Sequence, residues 1–394
     1  MLKALPSFSF TCLPEIYYGP DAIGKLKTQL PATESSTLWV TGGRVGQFSV
    51  YFQRFVELSN LTIPDNRIVQ IFGEPSPQAI DEASKQFRGA GITRVIGIGG
   101  GSVIDAAKAI AAMLPTSTTV LDHLEGVGRG IPISGKRLEL IAIPTTSGTG
   151  SETTTNAVLS EVGENGYKRS IRHKNFIPDA VWIIPSLMTT CSPLQTAACG
   201  MDAFTQLLEP YLSTKSNIMS DALAEKGLQL IINNIELAVG DGAEDTNVRG
   251  NMAIASMLSG ACLANVGLGI VHGLAGPIGG FINIPHGIVC AGLVAKANEV
   301  TFKAMQKRCP DNPFIEKMAN VGRMFGSGHK SDEFYCQQLI DSLYRWEKLF
   351  KIPKFSNYGM KDKDLEKIIK AAGNRNNPVE LTAEEIHSIL NYCL

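Results

Sequence analysis

Four polar side chains in the second half of the sequence have the types and spacing of metal ligands. Asp202 and Gln206 are four residues apart in a predicted helix, so they project from one face. His272 and His286 follow in the segments IVHGLAG and NIPHG. Carboxylate and imidazole groups bind divalent cations, and a metal with an open position acts as a Lewis acid. The pattern predicts a catalytic metal centre, although each histidine alone is also typical of a hydrogen-bonded core residue.

The chain must fold back between the two histidines if both bind one ion. An unbroken helix from His272 to His286 would separate them by about 21 Å. Two ligands of one ion lie within about 4 Å of each other. The expected helix breakers in this interval are Gly276-Pro277, Gly279-Gly280 and Pro285.

Two loops in the first half have the composition of a phosphate-binding site. The segment GIGGGS at 97–102 follows an apolar strand and opens a helix, whose free N–H groups attract anions. The segment PTTSGTGS at 144–151 also follows an apolar strand and is rich in hydroxyl groups. The first segment is not a complete GxGxxG, and a tight strand-to-helix turn would use the same residues. Two such loops in one parallel sheet would face one crevice, where these sheets bind ligands.

The elements that position these residues divide the chain near residue 190. Before it, short strands alternate with helices, which predicts a parallel sheet wrapped on both faces. These strand and helix signals lie at 37–43 (TLWVTGG, a strand ending in a glycine turn), 67–72, 78–91, 93–113 and 138–152. After it, Ser192, Pro193 and Gln195 predict a capping box that begins a series of helices. The predicted fold is α/β plus all-α, with a nucleotide-binding domain at 1–190 and a helical metal-binding and substrate domain at 191–394.

The overall composition excludes several classes of protein. The 36 Lys and Arg residues balance 37 Asp and Glu residues, which argues against a nucleic-acid or membrane-surface partner. No apolar run reaches the about 18 residues of a membrane span, and the mildly apolar start lacks a signal cleavage site. The eight cysteines show no CxxC pair and no metal-ligand spacing. We therefore expect a soluble, cytoplasmic protein with reduced and mostly buried thiols.

Four motifs, in this order, resemble those of the iron-containing (group III) alcohol dehydrogenases. They are GIGGGSVIDAAKAIA, AIPTTSGTGSE, GMDAFTQLLEPYLS and the pair HGLAGPIGG and NIPHG. The opening EIYYGPDAIGKL is also similar, so the resemblance covers at least residues 8–290. It implies an active site between a nucleotide-binding and a helical metal-binding domain, in a homodimer or larger assembly. The implied reaction is hydride transfer between NADP or NAD and an alcohol or aldehyde held by the metal.

The resemblance also implies roles for individual residues. The residues implied for the cofactor are Gly99, Gly100, Gly101 and Ser102 at the pyrophosphate, Thr145, Thr146 and Thr149 at the nicotinamide side, and Asp105 and Lys168. Asp202, His272 and His286 would ligate Fe²⁺, or alternatively Zn²⁺, and would thereby be the catalytic residues.

Two positions depart from the family pattern. The family usually has histidine where this chain has Gln206, a neutral and weaker ligand that we expect to bind weakly or to hold metal-bound water. It often has a further histidine, linked to proton handling, at Gly276; here water or a ribose hydroxyl would relay the proton. These departures leave open a degenerate nucleotide-binding member with weak or no metal. A lyase similar to dehydroquinate synthase, which shares the architecture, is the other alternative.

The residues after the first nucleotide-domain strand predict the choice between NAD and NADP. The family usually has an acid there, which hydrogen-bonds the ribose 2′-OH of NAD. Here TLWV is followed by Thr41, Gly42, Gly43 and Arg44. Gly42 stands where the acid would be, a Gly42-Gly43 turn would expose N–H groups, and Arg44 could pair with a 2′-phosphate. We therefore expect NADP(H) to be accepted and preferred, while an ordinary turn with a solvated arginine is the alternative.

Overall fold

A computed structural model of the chain describes residues 7–30, 36–44, 47–326, 328–373 and 376–394, apart from the side chain of Arg44. Within these residues the strands are β1 (Glu15–Tyr18), β2 (Thr37–Arg44), β3 (Gln47–Phe48), β4 (Ile68–Ile71), β5 (Arg94–Gly99), β6 (Glu139–Pro144), β7 (Asn156–Glu161), β8 (Tyr167–Arg172) and β9 (Ala180–Ile183). The helices are α1 (Ala22–Gln29), α2 (Val50–Ser59), α3 (Pro77–Phe87), α4 (Gly101–Met113), α5 (Pro193–Tyr211), α6 (Ile218–Val239), α7 (Thr246–Val266), α8 (Ile270–Phe281), α9 (His286–Arg308), α10 (Phe314–Arg323), α11 (Asp332–Leu349), α12 (Leu365–Ala371) and α13 (Ala383–Tyr392).

The first half is built on a seven-stranded sheet. Its order is β1-β9-β6-β5-β2, with β4 beside the middle of β2 and β3 beside its end. The strands pair in parallel, except that β3 runs antiparallel to β2. The central strands β5 and β6 are buried along almost their whole length, as expected for a sheet covered on both faces. Val95 and Leu140 pack on the side of α3 and α4, whereas Ile96 and Ile141 pack on the side of α1 and α2.

The strand β2 is longer than the sequence predicts. Gly43 and Arg44 pair with Phe48 and Gln47 of β3, and Gly42 pairs with Ile71 of β4. The predicted glycine turn after TLWV is therefore wrong, because pairing on this edge keeps both glycines extended. A side chain at Gly43 would collide with the backbone of Gln47, so glycine permits the close approach of the two strands.

The second half is formed by α5 to α13, and in the part of the chain that the structure describes no strand follows β9. As predicted, α5 begins after Ser192, whose hydroxyl accepts the N–H of Gln195, with Pro193 in the first turn. The capping box is not completed, because the Gln195 side chain accepts a hydrogen bond from Tyr51 instead. The predicted α/β plus all-α fold class is confirmed. The placement of a domain boundary near residue 190 stays a prediction.

The turn between the two histidines lies later than most of the predicted breakers. Helix α8 continues through Gly276-Pro277 and Gly279-Gly280, and the chain turns only between Phe281 and the start of α9 at His286. A proline inside a helix removes one backbone hydrogen bond, and a glycine costs about 1 kcal/mol. The buried packing of α8 outweighs these losses. Of the expected breakers, only Pro285 lies at the turn, where it caps α9.

An antiparallel hairpin of β7 and β8, which the sequence analysis did not predict, connects the two halves. Its turn residue Gly163 donates a 3.1 Å hydrogen bond to the carbonyl of Gly280 in α8. A Cβ on Gly280 would lie 2.9 Å from Cα of Tyr167, so the glycine lets α8 approach β8 closely. This contact places Lys168 of β8 beside the helical half.

Membrane-spanning helices have a characteristic length and composition. A transmembrane helix needs about 20 mainly apolar residues. No single described helix is both long and apolar enough; α7 and α8 meet the requirement only as a pair, bent by 98° at the break between them.

Candidate active site

Three of the predicted metal ligands come together from three helices. Asp202 lies in the middle of α5, His272 in the first half of α8 and His286 at the first residue of α9. Oδ1 of Asp202 is 3.4 Å from Nε2 of His272 and 3.7 Å from Nε2 of His286. These separations match those of atoms bound to one cation. The turn before α9 thus brings His272 and His286 close together, as their spacing in the sequence requires if both bind one ion.

Two polar atoms of this cluster are left without hydrogen bonds. Among the described residues, Oδ1 of Asp202 and Nδ1 of His286 are buried and have no hydrogen-bond partner. Burial opposes ionisation of Asp202, but His286 and His272 lower the pKa of its carboxyl to about 2. Burial lowers the pKa of His286 to about 4, which keeps its imidazole neutral and able to bind a metal. A divalent cation therefore fits this donor set.

A fourth donor, Cys290, joins the cluster and was missed by the sequence analysis. Its Sγ lies 3.7 Å from Nε2 of His272 and 3.7 Å from Nε2 of His286. Burial raises the pKa of this thiol to about 12 in the metal-free protein. The expectation that no cysteine has metal-ligand spacing is wrong here, since Cys290 follows His286 by four residues on α9. That spacing was the available signal.

The two loops predicted for the cofactor lie against each other at the carboxyl ends of β5 and β6. Gly100 caps α4, and the N–H of Thr145 donates to the carbonyl of Gly99 at 3.0 Å. A Cβ on Gly101 would collide with Oγ1 of Thr149, so glycine permits this contact between the loops. The free N–H groups at the start of α4 therefore face the hydroxyl-rich loop, an arrangement that suits an anion.

One cavity of about 160 Å³ links these loops with the metal cluster. The predicted residues that line it are Gly101, Ser102, Asp105, Thr149, Lys168, Gln206, His272 and His286. Thr145 is fully buried below this surface, and Thr146 lines a separate small pocket beside Ser147. Asp105 accepts a 3.1 Å hydrogen bond from the N–H of Val158, and burial raises the pKa of its carboxyl to about 6.

Lys168 and Glu74 form an ion pair inside this cavity. Nζ of Lys168 lies 3.0 Å from Oε1 of Glu74, and its side chain is only 10% exposed. Burial opposes ionisation of Glu74, but Lys168 lowers the pKa of this carboxyl. Glu74 was not predicted, because it precedes α3 in a segment without a recognisable motif. The pair places one cation and one anion in the cavity that His286 and the predicted cofactor loops also line.

Gln206 and Gly276, the two residues that depart from the family pattern, both line the cavity. The Gln206 amide donates to the carbonyl of Thr149 at 2.6 Å and to the hydroxyl of Ser259 at 2.8 Å. Its nitrogen thus ties the hydroxyl-rich loop to α7. A Cβ added at Gly276 would meet no other heavy atom within 4 Å, so this position leaves open space beside the cluster.

The predicted determinants of cofactor choice are only partly described. Gly42 lies in β2, and a Cβ there would contact Val103 of α4 at an ordinary 3.5 Å. Gly43 pairs with Phe48 in the hairpin of β2 and β3. The predicted contact of Arg44 depends on its side chain, which lies outside the described part of the structure.

Comparisons with known proteins agree with this geometry. Residues 14–198 match the family description "Iron-containing alcohol dehydrogenase", and residues 196–394 match "Fe-containing alcohol dehydrogenase family, C-terminal". Alcohol dehydrogenase 4 of Saccharomyces cerevisiae is 34% identical over 75% of this chain and 74% of its own length. The chain belongs to the iron-containing alcohol dehydrogenase family.

Two further members show how far the similarity extends. The NAD-dependent methanol dehydrogenase of Bacillus methanolicus is 29% identical over 82% of each chain. The solved structure of an alcohol dehydrogenase from Oenococcus oeni superposes with a TM-score of 0.83 at 26% identity, over 98% of this chain and 100% of that one. The protein is thus a metal-dependent oxidoreductase that acts on alcohols, as predicted, and the lyase alternative is disfavoured. The predicted nicotinamide dinucleotide and iron are the cofactors of this family.

Proposed function

We propose that this dehydrogenase holds its nicotinamide cofactor along residues 99–102 and 145–149 and its divalent metal at Asp202, His272 and His286. It oxidises small alcohols, or reduces the corresponding aldehydes, in the cavity between these groups. The observation that carries the proposal is that Gly101 and Ser102 line the same cavity as His272 and His286. A substrate in this cavity can therefore reach both the cofactor and the metal without a large movement of the chain.

The residues of this cavity have different roles in positioning the reacting groups. A divalent metal, when bound, supplies Lewis-acid stabilisation of negative charge on oxygen. Leu263 and Leu268 offer apolar surface for the alkyl part of a substrate, while Lys168 and Glu74 add a charged pair to the same cavity. The open space at Gly276 admits the water through which we propose that the proton leaves.

Turnover measured by NAD(P)H absorbance tests the proposal. The assay uses a panel of alcohols and aldehydes with protein loaded with Fe²⁺ or Zn²⁺. We expect turnover of at least one small alcohol, lost on chelation and in His272→Ala together with the bound metal. His387→Ala, which changes an exposed histidine of α13, is the control and should keep both. Full activity in metal-free His272→Ala protein would contradict the assignment.

Three broader features remain proposals: the choice of cofactor, which rests on the residues Gly42 to Arg44, the oligomeric state, which rests on the family, and the location, which rests on the composition. We propose a preference for NADP(H), a homodimer or larger homo-oligomer, and a location in the cytoplasm. We also place the boundary between the nucleotide-binding and metal-binding domains near residue 190. Light scattering coupled to size-exclusion chromatography tests the oligomeric state, and a monomer at micromolar concentration would contradict it.

A further inference from the structure

The start of α9 places a thiol directly against the metal cluster. Cys290 is fully buried and lies one helical turn after His286. Its Sγ lies 3.7 Å from Nε2 of His272 and of His286 and within 4.8 Å of a carboxylate oxygen of Asp202, and both hydrogen-bonding partners of this atom among the described residues belong to the cluster. A thiol that merely filled core space would have apolar neighbours on these sides. Cys290 packs in an apolar core, yet its Sγ lies beside the ligand atoms of His272 and His286.

Four of the six distances between the ligand atoms of the cluster are close to those of a four-coordinate centre. One ligand atom from each of Asp202, His272, His286 and Cys290 lies within 4.8 Å of the others. A tetrahedral ion with bonds of about 2.1 Å to nitrogen and about 2.3 Å to sulfur has edges of about 3.4–3.6 Å. The observed 3.4 Å from Asp202 to His272 and 3.7 Å from Cys290 to each histidine are close to these edges.

The predicted fourth ligand, by contrast, is engaged elsewhere. Gln206 lies one turn after Asp202 on α5. Both hydrogens of its amide are used, in bonds to the carbonyl of Thr149 and the hydroxyl of Ser259. The amide is thus held as a link between the hydroxyl-rich loop and α7. Its remaining oxygen is a neutral donor, weaker than a thiolate for zinc or cobalt.

We infer that Cys290 is the fourth ligand of the metal, so that the centre is formed by one carboxylate, two imidazoles and one thiolate. The inference rests on the proposed metal site of Asp202, His272 and His286. On binding, the S–H proton of Cys290 is released to solvent and a sulfur–metal bond forms, with no change of oxidation state. A thiolate is a soft donor, so this centre favours Zn²⁺ and Co²⁺ over Fe²⁺ more than a centre without sulfur does.

Cobalt substitution tests the inference by a readout that does not depend on turnover. The protein is freed of metal, loaded with Co²⁺ without oxygen and examined for the near-ultraviolet charge-transfer absorbance of a thiolate–cobalt bond. We expect this band in the wild-type protein and in Gln206→Ala, and we expect its loss in Cys290→Ser. Cys262→Ser, which changes a fully buried thiol of α7 that donates to the carbonyl of Ser220 and is not part of the cluster, is the matched control and should keep the band.

Chelator competition tests the role of Cys290 through the affinity for Zn²⁺. Cys290→Ser should weaken Zn²⁺ binding by more than about 100-fold, the upper end of the range for residues that only support a ligand. Gln206→His should change Zn²⁺ affinity less than threefold, because the fourth position is already filled. X-ray absorption of the wild-type zinc protein needs no variant, and should show one sulfur neighbour at about 2.3 Å.

The possible failures of the two proposals are distinguishable. Wild-type protein that binds Co²⁺ and oxidises alcohols but shows no charge-transfer band would overturn the role of Cys290 and leave the proposed function intact. Tighter zinc binding in Gln206→His would likewise assign the fourth position to residue 206. A wild-type protein that binds neither Co²⁺ nor Zn²⁺ would contradict the proposed metal site as well.

Discussion

Glu209 holds His272 in the orientation that a metal ligand needs. Nδ1 of His272 donates a 2.7 Å hydrogen bond to Oε2 of Glu209, and the N–H of Val271 donates to the other oxygen at 2.6 Å. The lone pair of Nε2 is therefore directed towards Asp202, as in the carboxylate–histidine–metal arrangement of many metalloenzymes. Asp202 and Glu209 lie seven residues apart on α5, so two turns of one helix supply one candidate ligand and the hydrogen-bond partner of another.

Replacing Glu209 by glutamine should weaken metal binding without removing a ligand. The amide has only one oxygen, so it cannot accept from both Val271 and His272. We expect the Zn²⁺ affinity to fall by about 10–100-fold. Chelator competition measures this change. The control is Glu347→Gln, a similarly buried glutamate bonded to Tyr392, which should leave the affinity unchanged. Equal affinities in the Glu209 variant and the wild type would contradict the support role.

Gly276→His should narrow the substrate cavity. A side chain there meets no heavy atom near its Cβ, and residue 276 lies one turn after His272 on the same face of α8. The imidazole would take space from bulky alcohols, and contacts of this kind discriminate by about 1–3 kcal/mol. We expect the ratio of kcat/KM for a small alcohol to that for a bulky alcohol to rise about tenfold or more.

The control for this experiment is Gly24→His in α1, where an added Cβ also meets nothing. It should leave the substrate ratio unchanged. An unchanged ratio in the Gly276 variant would mean that this residue does not face the substrate.

The stability that Glu152 and Asp105 contribute should fall as the pH rises from about 5 to neutrality. Burial raises the pKa of Glu152 to about 7 and that of Asp105 to about 6. The folded protein therefore binds these protons more tightly than the unfolded chain, and its free energy of unfolding decreases as they are lost. From pH 5 to pH 7.5, Glu152 alone accounts for about 2–3 kcal/mol of this decrease.

Urea unfolding of the metal-free protein across this pH range measures the effect. Glu152→Gln cannot ionise, so its stability should depend less on pH than that of the wild type. Glu57→Gln, at an exposed position of α2, should keep the wild-type dependence. A Glu152 variant with the full wild-type slope would show that another group carries the proton.

Gly42→Asp should shift cofactor preference towards NAD(H). A Cβ at this position makes only an ordinary contact with Val103, so the strand accommodates the change. A carboxylate there repels a 2′-phosphate and accepts a hydrogen bond from a 2′-OH, worth about 1.5–3 kcal/mol. The measurement is kcat/KM with both cofactors, and Gly24→Asp is the charge control. A wild-type preference for NAD(H) of tenfold or more would contradict the prediction of NADP(H) use.

Much of the site was predictable because its signals are local. Asp202 could be predicted from its place on a helix alone. The glycines at 99–101 could be predicted from the strand before them and the helix after them. The interval between His272 and His286 predicted a turn, since a straight helix would separate them too far. It did not locate that turn, because the packing of α8 outweighs the helix-breaking tendencies of Gly276 and Pro277.

The sequence by itself determined the fold class and predicted two cofactor loops and four candidate metal ligands, because periodicity, caps and glycine runs act over a few neighbouring residues. Three of these candidates, Asp202, His272 and His286, lie together in the structure. The tertiary structure decided which further groups join them. Cys290 becomes a donor through the turn before α9, Glu209 becomes a support through the approach of α8 to α5, and Lys168 enters the cavity on an unpredicted hairpin. Such contacts join residues far apart in the chain, and only the packing of whole helices and strands brings their side chains within bonding distance.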